Sequence, residues 1–209
     1  GDYPHHAPSA PGRKGEFTGW MLLSYKKPAK ASSSLAGHGP DQAVDETVKT
    51  FWVAEKNGPD QWLEIDLGRV STIRAFQLNY HDYKSAIYGR QAGLYQHYVV
   101  ESSLDGKTWT TIEDRSQRKL DTPNDYVELA HPMDGRYIRY RNLHVPTRYL
   151  AISGFRIFGN GHGSLPPAVS GLSVSRRWDR RNARITWTAQ PGRQGYNVRW
   201  GIAPDKLYS

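Results

Sequence analysis

Cysteine is absent from the 209 residues, and this absence limits the chemistry open to the chain. Without thiols there is no disulfide framework, no thiolate metal site and no cysteine nucleophile. The sequence also lacks a run of about eighteen apolar residues, which a transmembrane helix requires, and its start lacks the basic-then-apolar pattern of a signal peptide. We therefore expect a folded chain that does not insert into a membrane.

Recognisable catalytic motifs are missing as well. There is no Gly-x-Ser-x-Gly, no His-Glu-x-x-His and no phosphate-binding glycine loop. The chain has 20 Asp and Glu, yet none of them stands in a recognisable pair of general acid and base. We therefore predict that this chain is not an enzyme by itself.

Positive charge is in excess, with a formal net charge of +8, but it is unevenly distributed. Through Asn160 there are 20 Lys and Arg against 18 Asp and Glu, a net of +2. From Gly161 onward there are 8 against 2, a net of +6. Because the larger part is close to neutral, it does not suit a groove that tracks nucleic-acid phosphates. We predict no nucleic-acid partner.

What the sequence does contain is the alternation of apolar and polar residues that is typical of strands. It occurs in residues 61–68 and again in residues 72–80. Asp105 and Gly106 stand between the strand signals 98–103 and 108–112 and predict a β-hairpin with a tight primed turn. Further strands are predicted at 126–129, 137–145 and 150–158. Since helical periodicity is lacking, the fold class is all-β, a sandwich or a barrel.

The composition divides the chain into four parts. Residues 1–24 are an irregular lead-in, 25–160 a main domain, 161–167 a linker rich in Gly and Pro, and 168–209 a shorter segment. This last segment has strand signals at 169–175, 183–188 and 195–200. Three strands are too few for an independent sandwich, so we expect the natural chain to continue past Ser209.

Three polar stretches are candidates for function. Residues 81–97 and 115–125 are predicted to be loops, and long loops in compact domains are commonly functional. Residues 41–52 place two carboxylates and two threonines directly before the aromatic pair Phe51 and Trp52. Two structures fit this third pattern: a bound cation held by oxygen ligands, or a hydrogen-bonded turn anchored by Trp52 in the core.

Five motifs in order resemble a coagulation factor V/VIII type C (F5/8 type C), or discoidin, domain over residues 25–160. The residues that carry the resemblance are Val44-Asp45 with Thr50-Phe51-Trp52, Trp62 through Gly68, Ser102 through Trp109, Arg136 through Arg139, and Ile152-Ser153 with Arg156 through Gly159. The resemblance implies a discoidin or jelly-roll-like β-sandwich of the galactose-binding-like type, with its ligand loops gathered at one end.

The tail resembles the start of a fibronectin type III domain, an Ig-like β fold. Leu172-Ser173-Val174, Ile185-Thr186-Trp187 and Gly195 through Trp200 carry this second resemblance, with Trp187 and Tyr196 as its core aromatics. The two parts together are similar to the C-terminal regions of secreted bacterial glycoside hydrolases of the family-43 type, in which discoidin modules are family-32-like carbohydrate-binding modules.

That context implies a function, partners and a location. The chain would be a non-catalytic accessory module that binds a plant or host polysaccharide or oligosaccharide, in the same polypeptide as a glycosidase catalytic domain. It would be secreted, periplasmic or on the bacterial cell surface. The alternative is a structural module that braces the parent enzyme's catalytic domain without binding sugar, since aromatic loops look the same in both cases.

The resemblance also implies a structural calcium ion beneath the ligand loops. Carried over by position, its ligands are the Gln42 carbonyl, the Asp45 carboxylate, the Thr47 carbonyl, Thr50, and groups near Ser153. The sequence departs from the family pattern at Gly154, where calcium-binding members usually have a glutamate. Calcium takes about six to eight oxygen ligands, so water would have to replace the missing carboxylate.

Sugar recognition requires flat apolar faces and planar polar groups, and the predicted loops offer both. The candidates are Tyr83, Tyr88 and Tyr95 for the faces and His81, Arg90, His97 and Arg118 for the polar groups. Two other roles stay open: at least one tyrosine is expected to clamp the loop, and His97 fits the start of the next strand.

Overall fold

The computed structural model describes residues 20–86, 93–162, 168–176, 178, 181–191, 196, 198, 200–203 and 206–208. The chain divides into two compact units, one within 1–163 and the other within 164–209. In the part of the chain that is described, no helix is long and apolar enough to cross a membrane.

The first unit is built from strands, which confirms the all-β prediction. Its strands are β1 Met21–Leu22, β2 Ala29–Ala31, β3 Trp52–Val53, β4 Trp62–Tyr80, β5 His97–Ser103, β6 Thr110–Asp114, β7 Asn124–His144 and β8 Ala151–Gly161. A 3₁₀ turn, Pro40–Ala43, precedes β3. The strands pair antiparallel in the order β1-β8-β4-β7-β5-β6, with β2 on β4 and β3 on β8.

The two long strands β4 and β7 bend back on themselves. Their mutual pairing shifts register between Asp66 and Ser71, and Gly68 inside this stretch has a φ of 81°, which a glycine adopts without the steric cost of a Cβ. The sequence predicted two separate strands, one on each side of this bend, because the alternation of apolar and polar residues stops there. In the structure the strand continues through it.

This bend arranges the strands as a sandwich with one shared core. The first part of β4 pairs with β2 and the second part with β8, while β7 runs along both parts. Leu63 and Ile65 from the first part join Phe76 and Leu78 from the second in a single buried cluster. Trp52 is fully buried in that cluster, and its indole N–H donates to the Ser33 carbonyl at 3.0 Å. The prediction of Trp52 as a core anchor is confirmed.

The hairpin between β5 and β6 is wider than a two-residue turn. Gly106 has a φ of 73°, whereas Asp105 is not among the described residues with positive φ, so the predicted primed turn is replaced by a loop from Leu104 to Trp109. The Asp105 carboxylate accepts the backbone N–H groups of Lys107 and Thr108, both at 2.8 Å. These hydrogen bonds lower the pKa of Asp105 to about 2.

Stacked cations and aromatic rings cover part of the outer sheet face. The Arg139 guanidinium lies 3.7 Å from the ring centre of Trp109 and 5.1 Å from that of Trp62. It also donates to the Glu64 carboxylate at 2.7 Å. The Arg139 guanidinium therefore joins Trp62 on β4 to Trp109 in the loop before β6.

Within its described residues, the second unit shows two antiparallel pairs of strands. They are formed by β9 Ser173–Arg176 with β10 Ala183–Thr186, and by β11 Trp200–Ala203 with β12 Lys206–Tyr208. The rings of Trp187 and Tyr196, the predicted core aromatics, are 5.2 Å apart in an edge contact. Of the predicted strand 195–200, residues 195, 197 and 199 lie outside the described residues, and Trp200 is the first residue of β11. The fibronectin type III assignment stays a prediction.

Candidate functional site

A cleft of about 220 Å³ opens at one end of the sandwich. The end of β4, the segment before β5 and the loop before β7 form one part of its lining, and the segment from the end of β7 to the start of β8 forms the rest. Both ends of the bent strand β7 therefore lie at this opening. The layer architecture thus brings together segments that are far apart in the sequence.

The cleft combines apolar walls with negative charge. Leu94, Pro123 and Val145 supply apolar surface, and Asp82 and Asp121 supply carboxylates. Both aspartates are exposed. Within the described residues, neither lies within 4.0 Å of a Lys, Arg or His nitrogen. The described lining contains no lysine or arginine, so a chain with a net charge of +8 has an acidic cleft.

A buried amide fixes the wall that carries Asp121. Gln96 is only 5% exposed; its Nε2 donates to Asp121 Oδ1 at 3.0 Å, and its Oε1 accepts the Thr122 N–H at 2.7 Å. Because both halves of the Gln96 amide are bonded to this loop, the loop is held against the start of β5. The acidic wall is therefore pre-formed rather than assembled by a ligand.

An aromatic cluster lies beside the opposite wall. The rings of Phe51 and His81 stack at 3.8 Å, and those of His38 and Phe51 at 4.6 Å. Tyr83 makes an edge contact with His38 at 5.0 Å and another with Tyr149 at 5.4 Å. Partial burial lowers the pKa of His81, against the opposing effect of the neighbouring Asp82. His81 also lines the cleft, whereas Tyr83 has the clamping contacts expected of one of the tyrosines.

The other predicted sugar contacts lie elsewhere or are not described. The Tyr95 ring sits 4.4 Å from the ring of His97 and 4.4 Å from that of His144, and His97 is the first residue of β5. Burial and the nearby His97 lower the pKa of His144. Tyr88 and Arg90 lie outside the described residues.

Arg118, the last of the predicted contacts, pairs with a buried carboxylate. Its Nη1 lies 2.9 Å from one oxygen of Asp125 and 3.1 Å from the other. The Tyr98 hydroxyl donates to the same carboxylate at 2.7 Å. Burial and this carboxylate raise the pKa of Tyr98 far above its usual value. Arg118 thus connects the second loop to the core.

Sequence reasoning missed Asp82, Gln96 and Asp121. The two loops that hold Asp82 and Asp121 were singled out, but the search within them was for rings and planar cations. Only the folded chain shows that carboxylates from the two loops line one cleft.

The residues predicted to hold calcium satisfy one another. The Asp45 carboxylate accepts the Thr47 N–H at 2.8 Å and the Thr50 hydroxyl at 2.6 Å. The Thr47 carbonyl accepts the Thr50 N–H at 3.1 Å. The Ser153 hydroxyl donates to the Asn79 carbonyl at 3.2 Å, and the Gln42 side chain bridges Gly37 and Phe51.

The carboxylate that follows Asp45 in the chain already has a cationic partner. Glu46, the neighbouring carboxylate, is paired with Arg156 at 2.9 Å. Asp45 is then the single carboxylate in the predicted ligand set. Within the described residues, no group of three or more His, Cys, Asp and Glu side chains is placed to hold a metal. Calcium takes about six to eight oxygen ligands, and the predicted calcium site stays a prediction.

These features define a β-sandwich domain with a loop-end cleft, and comparison with known proteins gives its family. The sequence profile of the F5/8 type C domain matches residues 28–154. The chain belongs to the F5/8 type C domain family, as the motif order predicts.

Two solved structures and one curated protein are similar to this chain. A mutant of chitosan-binding module 1, from a chitosanase/glucanase of Paenibacillus sp. IK-5, is 26% identical with a TM-score of 0.54, over 66% of this chain and 98% of that one. Chitosan-binding module 2 of the same enzyme, solved with chitotriose, is 25% identical with a TM-score of 0.55, over 66% and 99%. Neuropilin-1a of Danio rerio is 26% identical over 75% of this chain, which spans 20% of the neuropilin's length.

Proposed function

We propose that the first unit is a non-catalytic carbohydrate-binding module that binds glycan in the loop-end cleft. The observation that carries the proposal is the open cleft itself, with apolar walls beside two aspartates and a stacked His81. Sugar sites use this combination, in which apolar surface faces the C–H side of a pyranose and polar groups bind its hydroxyls. An open cleft favours glycan binding over the alternative role as a brace, for which a flat apolar patch would be expected.

The size of the cleft limits what it takes. At about 220 Å³ it is smaller than the roughly 300–1,000 Å³ that encloses a drug-sized ligand. One sugar unit would enter, and the rest of a chain would lie outside. Affinity for a short oligosaccharide should then be weak, roughly millimolar to micromolar.

Asp82 and Asp121 favour a glycan that bears a protonated amine. A carboxylate and an ammonium group form a charge-assisted hydrogen bond, which is stronger than a bond between neutral groups. An acetylated amine is neutral and cannot form this charge-assisted hydrogen bond. The chitosan-binding modules at 25% and 26% identity support the choice of glucosamine units as the ligand.

The proposed setting is a longer glycoside hydrolase outside the cytoplasm or on the cell surface, with the fibronectin-like segment as a spacer. The solved relatives derive from a chitosanase/glucanase, which supports this setting. A weak module would act there by raising the local concentration of polysaccharide near the catalytic domain.

Calorimetric titration of the full chain with trimers of glucosamine, N-acetylglucosamine and glucose tests the proposal. We expect the glucosamine trimer to bind, and Asp82→Asn and Asp121→Asn each to weaken it about tenfold, the equivalent of about 1.4 kcal/mol. Asp134→Asn is the matched control: Asp134 lies in the middle of β7, away from the cleft, and asparagine keeps the acceptor for the Thr72 hydroxyl.

Two results would count against this function, and they are separable. If none of the trimers and no polysaccharide in an affinity gel binds the chain, the carbohydrate-binding role is wrong. If the acetylated trimer binds equally well and the aspartate variants behave like Asp134→Asn, the preference for an amine is wrong while glycan binding stands.

A further inference from the structure

Residues 45–50 form a turn, the Asp45 turn, that side-chain contacts tie to the sandwich. Glu46 has a φ of 61°, in the left-handed region that disfavours a residue with a Cβ. Such a conformation persists when surrounding contacts hold it. The contact in this case is an arginine from β8.

Arg156 joins the turn to two strands. Its Nε donates to both carboxylate oxygens of Glu46 at 2.9 Å, and its Nη1 donates to Asn79 Oδ1 at 2.5 Å. Asn79 belongs to β4 and is the pairing partner of Gly154 on β8. The Arg156 side chain is 22% exposed and that of Glu46 is 31% exposed. One guanidinium therefore connects the turn, β4 and β8.

The same guanidinium fills the space that a side chain at position 154 would need. A Cβ built on Gly154 would lie 3.3 Å from Arg156 Nη1 and 2.9 Å from Asn79 Oδ1. A carboxylate reaching from this position toward the turn would displace both groups. Gly154 and Arg156 are thus complementary, since the absent side chain leaves room for the cationic one.

A guanidinium and a divalent cation beside the same short turn would repel each other. Two positive charges a few ångströms apart repel strongly where the surroundings are partly desolvated. Arg156 also engages Glu46, the carboxylate next to Asp45. A calcium ion at the turn would therefore have to break the Arg156 contacts before it gained a second carboxylate.

We propose that the Arg156 guanidinium is the built-in cation of the Asp45 turn and takes the place of a calcium ion there. The turn is then closed by a covalently attached positive charge with fixed donors, which a chelator cannot remove. This inference stands whether or not the cleft binds glycan, because its readout is the stability of the turn.

Thermal unfolding in excess EDTA and in millimolar calcium tests the proposal on the full chain, together with calorimetric titration of calcium. We expect the same melting temperature in both and no heat of binding from the turn. A one-to-one heat with a raised melting temperature, both abolished by Asp45→Asn, would overturn it. A heat that survives Asp45→Asn arises at another site and agrees with the proposal.

Variants test the arginine directly. Arg156→Gln should lower the melting temperature by about 3 to 8 °C, an effect on the scale of one or two lost charged contacts in a domain of this size. Arg156→Lys keeps the positive charge but loses the planar set of guanidinium donors. Its melting temperature should lie between those of the unmodified chain and Arg156→Gln. Arg69→Gln is the control: Arg69 is exposed, and within the described residues its side chain makes no hydrogen bond or ion pair. An Arg156→Gln variant as stable as Arg69→Gln would refute the role.

A double variant replaces the guanidinium beside the Asp45 turn by a carboxylate. Gly154→Glu with Arg156→Gln supplies a carboxylate and removes the competing guanidinium. We expect calcium to raise the melting temperature of this double variant more than that of Arg156→Gln alone. A double variant that responds to calcium no more than Arg156→Gln would contradict the view that Arg156 is what excludes the ion.

Discussion

Replacing Arg118 by methionine should reduce stability and leave glycan affinity unchanged. The reason is the carboxylate that Arg118 accompanies: the Asp125 side chain is 6% exposed and that of Arg118 28% exposed. Methionine keeps much of the apolar stem and removes the guanidinium. Asp125 would then retain one side-chain donor, the Tyr98 hydroxyl at 2.7 Å.

The expected magnitude follows from this geometry. Breaking a fully buried ion pair by removing one partner costs about 3–5 kcal/mol. Solvent reaches more than a quarter of the Arg118 side chain and Tyr98 still donates, so the loss is reduced to about 2 kcal/mol. In a domain of this size that corresponds to a decrease in melting temperature of about 4 to 8 °C.

Urea unfolding followed by tryptophan fluorescence measures the loss of stability. Titration with the glucosamine trimer measures the glycan affinity. Asp125→Asn added to Arg118→Met is the matched control: it removes the buried charge, so stability should recover in part. An Arg118→Met protein of unchanged stability that binds the trimer tenfold more weakly would refute this reasoning and return Arg118 to the sugar contacts.

Two further substitutions test parts of the sandwich outside the cleft. Arg136 donates two hydrogen bonds to Asp66, at 2.8 and 2.9 Å, which hold the pKa of Asp66 below its usual value. The contribution of the ionised Asp66 carboxylate to stability is therefore present above its unfolded-state pKa, about 3.9. It is lost as pH falls through the lower folded-state pKa. Asp66→Asn should flatten the acid limb of a melting-temperature profile, and an unchanged limb would contradict the shift. Gly106→Ala forces alanine to a φ of 73° and should cost about 1 kcal/mol in urea unfolding, whereas Gly161→Ala, without positive φ, should cost little.

The sequence predicted the positions of the strands better than the bend and the turn that connect them. Alternation located 61–68 and 72–80 because period-two burial is a local property. It could not show that Gly68 lets one strand pass from layer to layer, since glycine also ends strands. The Asp105-Gly106 signal placed the hairpin correctly and its turn type wrongly, because the Asp105 carboxylate bonds the N–H groups that follow it and widens the loop.

The candidate site was only partly predictable for a related reason. Rings and cations were the residues sought, so His81 was found at the cleft while Asp82 beside it was passed over. The place of Arg118 depends on the burial of Asp125, which no local pattern reveals. The proposed role of Arg156 at the Asp45 turn depends on a contact with Glu46, 110 positions away in the chain, which no local pattern reveals.

The bend in β4 has a consequence for how the domain can be tethered. Met21 pairs with Gly159, and Gly161 pairs with Ser71 beside the bend, whereas Tyr80, which lines the cleft, pairs with Ile152 at the other end of β8. The polypeptide thus enters and leaves the sandwich at the pole opposite to the opening. A sensor surface or carrier linked before Met21 or directly after Gly161 is therefore attached at the end of the sandwich away from the cleft.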